Sequence, residues 1–60
     1  MKVIKSESTM YRNILTYQVE ENEDYEDALT ELKQKVNDSC FGGFVSRSNH
    51  NQIVVTYYAD

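Results

Sequence analysis

The chain has 60 residues, a net charge of −4, 40% apolar residues, no proline and one cysteine. Those values exclude a disordered chain and an internal disulfide, and they argue against an electrostatic binder of nucleic acid or anionic lipid. They allow one small domain over residues 1–60, whose core is so limited that regular packing or self-association must supply its stability.

The first segment, Met1-Lys2-Val3-Ile4-Lys5-Ser6-Glu7, is charged within a few residues and has no apolar h-region of a secretory signal. No apolar run approaches the roughly 18 residues of a membrane span. With the lone Cys40, this fits a reducing, cytoplasmic setting. Lys2 to Ser8 is a candidate strand that would pair with the next one through Thr9-Met10-Tyr11-Arg12. That turn lacks glycine, so a second arrangement stays open, in which the first dozen residues form one long strand or fray.

Asn13 to Glu20 alternates with period two, placing Leu15, Tyr17 and Val19 on one face and Ile14, Thr16 and Gln18 on the other. Asp24 to Asp38 is then a helix. Tyr25, Ala28, Leu29, Leu32 and Val36 make one apolar stripe. Asp24 suits the N-cap, Glu26 and Asp27 suit the first turn, and Lys33 and Lys35 suit the C-terminal half. Glu31 stands four residues before Lys35, in the favourable order for an ion pair. Asn37-Asp38-Ser39 breaks the pattern, and Gly42-Gly43 lets the chain turn back.

Phe44 to Ser48 reads as a strand joined by the polar turn Ser48-Asn49-His50-Asn51 to the last strand, Gln52 to Tyr58. Ile53, Val55 and Tyr57 share one face there, and Val54, Thr56 and Tyr58 share the other. The expected fold is α+β: a mainly antiparallel sheet of three to four strands with one helix on one face, in the order β-β-α-β-β. The helix stripe should meet Leu15, Tyr17, Val19, Ile53, Val55 and Tyr57. The other sheet face, Ile14, Thr16, Val54, Thr56 and Tyr58, is less polar than a solvated antiparallel sheet needs. It is a candidate interface for a homodimer.

No catalytic, metal or cofactor constellation emerges, and no enzymatic activity is expected. Cys40 and His50 are two soft ligands where a structural zinc site needs four. A buried, inert thiol and a loop histidine are the simpler reading. The acidic stretch has no glycine at the place a calcium loop requires. Gly42-Gly43 follows a helix, whereas a phosphate loop precedes one.

The acids themselves are the main functional signal. Glu20, Glu21, Glu23, Asp24, Glu26, Asp27 and Glu31 fall within twelve residues, with no basic residue among them. Capping, the helix dipole and solvation account for several of them. The rest suit docking on a protein with a basic surface. Three functions follow as expectations. The first is an acidic protein-binding regulator or inhibitor, of the kind that phages and mobile elements use to block host or defence proteins. The second is a binder of ligand or single-stranded nucleic acid through the sheet face, with Tyr58, Arg47 and Tyr11. The third is an oligomerisation module.

Overall fold

The computed structural model describes residues 1–59. Four strands and one helix follow in the order β1 (Lys2–Ser8), β2 (Arg12–Gln18), α1 (Tyr25–Asn37), β3 (Gly43–Ser48) and β4 (Gln52–Tyr58). The strands form one antiparallel sheet in the order β1-β2-β4-β3. The fold is the expected β-β-α-β-β, and the first strand is fully formed.

The turn before β2 closes without glycine. The Thr9 backbone N–H and its hydroxyl both donate to the Arg12 carbonyl, at 2.8 and 3.2 Å. In the β3–β4 turn, His50 and Asn51 have φ of 58° and 59°. Two consecutive positive φ values give the backbone twist that a two-residue hairpin favours. The Gln18 side chain braces that turn by donating to the His50 carbonyl at 2.9 Å.

Helix α1 starts where the capping chemistry predicts. Asp24 is extended, and its carboxylate accepts from the Asp27 N–H at 3.1 Å. The helix ends at Asp38, and Ser39 then accounts for one freed carbonyl by donating its hydroxyl to Val36 O. Gly42, at φ 74°, turns the chain toward β3. Gly43 is needed for a different reason. A β-carbon there would lie 1.9 Å from the Thr56 carbonyl oxygen, so β3 and β4 come together only over a bare backbone.

The core joins Ala28, Leu29, Leu32 and Val36 of the helix to Ile53 and Val55 of β4 and to Val19 just past β2. Val19 is held there because its N–H donates to the Asn51 carbonyl at 2.9 Å. Met1, Tyr17, Tyr25, Val45 and Tyr57 pack around this cluster. The Tyr25 hydroxyl donates to Gln52 O at 2.8 Å, which ties the helix start to β4.

The helix meets only β3 and β4. Leu15, expected under the helix, lies on the correct face opposite Val55, yet it is only half-buried and stands outside the core cluster. The reason is width. A helix is about 10 Å across and strands are about 4.8 Å apart, so one helix roofs two strands of four. All seven residues of β1 are exposed. Cys40 also departs from expectation. It is exposed, because it lies beyond the last buried helix residue, Val36, in the loop after the cap.

Two substitutions test this packing. Leu32 is fully buried, so Leu32→Ala should cost about 2–5 kcal/mol, comparable with the whole stability of a small domain. Gly43→Ala should also destabilise, by prising β3 from β4. Urea denaturation followed by circular dichroism reads both, and a wild-type midpoint for Gly43→Ala would contradict the close approach.

Candidate functional site

The acidic residues divide by what they touch. Asp24 is spent on the helix cap. Glu26 pairs with Arg47 of β3 at 2.8 Å, and that guanidinium also lies over the Tyr25 ring, 5.6 Å from its centre. Glu23 accepts from the Glu20 N–H at 3.0 Å and forms an ion pair with the Met1 amino group. These contacts hold the Glu23 carboxyl below its ordinary pKa, first through the bond to the amino group and then through the Glu20 N–H. Glu20, Glu21, Asp27 and Glu31 make no ion pair among the described residues. The expected Glu31–Lys35 pair is also not closed.

Helical geometry sets where the free carboxylates stand. The Glu26–Arg47 pair marks the flank of α1 that faces β3. Asp24, Ala28, Glu31 and Lys35 recur on the opposite flank, with Asp27 behind them. Glu23, Asp24, Asp27, Ala28 and Glu31 together line a shallow, open depression there. Lys35 acts on the same side. The Tyr57 hydroxyl is raised above its ordinary pKa mainly by burial and next by Tyr17, and Lys35 opposes the rise. No group of three or more metal-binding side chains is assembled among the described residues.

Around β4, the outer sheet face holds a larger apolar patch than the sequence suggests. Ile14 and Phe44 flank Thr56 on the neighbouring strands, and Val54 and Tyr58 lie above and below it on β4. Thr56 is only 4% exposed, although no helix covers it. Phe44 and Tyr58 pack with ring centres 6.2 Å apart. Phe44 was not part of the expected interface. Its place beside Thr56 depends on strand order, which periodicity does not reveal.

The proposed trio Tyr58, Arg47 and Tyr11 is not assembled. Arg47 pairs with Ile53 and so shares the helix-covered face, whereas Tyr58 points to the other. The cation that does neighbour Tyr58 is Arg12, opposite it in the β2–β4 register. Sequence reasoning missed Arg12 because its partner strand is more than forty residues away along the chain.

The Glu23 contacts tie the β2–α1 loop to the start of the chain. A depressed carboxyl contributes stability that is present above the ordinary carboxylate pKa and lost as pH falls through the folded value. Wild-type protein should therefore lose more stability between about pH 5 and pH 3 than Glu23→Gln does. Urea midpoints measured across that range check this, and parallel curves would refute it.

Compared with models of known families, with curated proteins and with solved structures, the chain shows no match.

Proposed function

We propose that this chain is a small protein-binding regulator or inhibitor that presents the acidic flank of α1 and its preceding loop to a basic protein surface. One observation carries the reading. The fold uses Glu23, Asp24 and Glu26 internally and leaves the carboxylates of Glu20, Glu21, Asp27 and Glu31 without an ion-pair partner among the described residues. Capping and the helix dipole do not require carboxylates at Glu20, Glu21 or Glu31, which stand before the cap or beyond the first turn. Unpaired surface carboxylates add self-repulsion to a chain already at −4, and a basic partner would relieve it. Complementary charge of this kind speeds encounter and selects among partners.

The outer face favours a second, weaker reading, self-association through Ile14, Thr16, Val54, Thr56 and Tyr58, with Phe44. Three strands of seven residues and one of six present about 400 Å² in all, charged β1 residues included. A stable interface needs about 800 Å² from each partner. Stacking of two such faces is therefore expected only at high concentration.

Affinity capture with the tagged protein tests the first reading. A basic protein should be retained at low salt, released near 1 M salt, and retained about tenfold less by Asp27→Lys/Glu31→Lys. Equal retention by that variant, or retention at 1 M salt, would overturn it. Light scattering tests the second reading. The wild type should be a monomer at low micromolar concentration. A stable dimer there, lost in Tyr58→Glu, would overturn the area argument and favour assembly as the role.

A further inference from the structure

The uncovered half of the sheet is segregated by charge. Lys2, Lys5, Glu7 and Arg12 are the charged residues of β1 and β2. Their partners in the ladder are Gln18, Thr16, Ile14 and Tyr58. All four partners lie on the outer face, so every charge of this hairpin points away from the helix side. The helix-side face of the hairpin is Val3, Ser6, Ser8, Asn13, Leu15 and Tyr17, with no charge at all. A register shift at Ile4 produces this sorting. Lys2 and Lys5 are three apart and would point to opposite faces of a regular strand. The extra residue brings both lysines to the outer face and keeps Val3 on the inner one.

This uncharged face is left uncovered by α1 and forms the floor of a one-sided groove, open at the β1 edge. One wall is the flank of α1 that carries Asp24, Ala28, Glu31 and Lys35. The Met1–Glu23 ion pair closes one end. The floor is two strands wide, about 10 Å, which is the diameter of one helix. A strand of seven residues runs about 23 Å, the length of a helix of about 15 residues.

We infer that this groove receives an amphipathic helix of a partner protein, lying beside α1, with its apolar face on Val3, Leu15 and Tyr17 and a basic flank against Asp27 and Glu31. The inference rests on the acidic-surface reading above and names the element that the partner supplies. Charge complementarity with Asp27 and Glu31 selects a basic flank that ends before Lys35, and the two-strand width of the floor matches a helix. A second copy of this chain does not supply such a helix. Its apolar stripe is already buried in its own core, and its opposite face is Thr30, Gln34 and acids.

The probe is a synthetic peptide of about 15 residues with a leucine stripe and lysines along one flank. Controls carry glutamate in place of lysine, or serine in place of leucine. The lysine peptide should bind, and both controls should bind at least about tenfold more weakly. Amide shifts on binding should centre on Val3, Ser6, Leu15, Tyr17 and Glu31. Ser6 is exposed at the centre of the floor, so Ser6→Arg should keep the fold, checked by circular dichroism, and weaken binding by about tenfold or more. Asp27→Lys/Glu31→Lys should weaken binding and flatten its salt dependence. If charge reversal weakens binding but Ser6→Arg does not, or the shifts fall on Thr16, Val54 and Tyr58, the groove is wrong and the acidic surface stands. If neither variant weakens binding, both readings fall. No binding of the lysine peptide at millimolar concentration also overturns the groove.

Discussion

A helix about 10 Å across cannot roof four strands spaced about 4.8 Å apart, and most of this molecule follows from that mismatch. The described residues hold one helix, and it sits over β3 and β4. Burial is accordingly lopsided: Ile53 and Val55 are sealed, and β1 is exposed along its whole length. The hairpin of β1 and β2 adds ladder hydrogen bonds to the sheet but little core. An arrangement with the helix centred on β2 and β4 would have covered Leu15. The short passage from α1 into β3 holds the helix on the other side, where the Arg47–Glu26 pair forms.

The uncovered hairpin would be ordinary if its two faces were alike. They differ because of one residue of register. The shift at Ile4 puts Lys2 and Lys5 on the same side, leaving the face beside the helix uncharged. Bulges and lysines on an edge strand also discourage edge-to-edge pairing. The same local irregularity thus blunts the β1 edge and clears the groove floor. Protection of the edge alone does not require charge to be sorted by face, and the sorting is what singles out the groove.

The acidic stretch shows how structural and functional demands share one segment. Asp24 caps, Glu23 holds the start of the chain, and Glu26 fixes Arg47 over Tyr25. Surface pairs such as Glu26–Arg47 contribute little individually, because both side chains are well exposed. With Glu26 so paired on the β3 side, the free helix carboxylates, Asp27 and Glu31, stand away from it.

Period-two and period-3.6 patterns in the chain determined the helix, the strands after Arg12, the Asp24 cap and the stripe from Tyr25 to Val36, since these depend on neighbours a few residues apart; that Lys2–Ser8 forms a paired strand was decided by the fold. The acids were legible as a cluster for the same reason. Only the tertiary structure decided which of them are free, because Met1 and Arg47 reach Glu23 and Glu26 across folded distances. It also decided that Leu15 stays half-open, that Cys40 is exposed, that Arg12 and not Arg47 neighbours Tyr58, and that Phe44 joins Thr56. Each of these depends on strand order, on the side to which the helix leans, or on a one-residue shift in pairing. Such long-range choices are settled by the competition for a small buried area and leave no local periodic trace in the sequence.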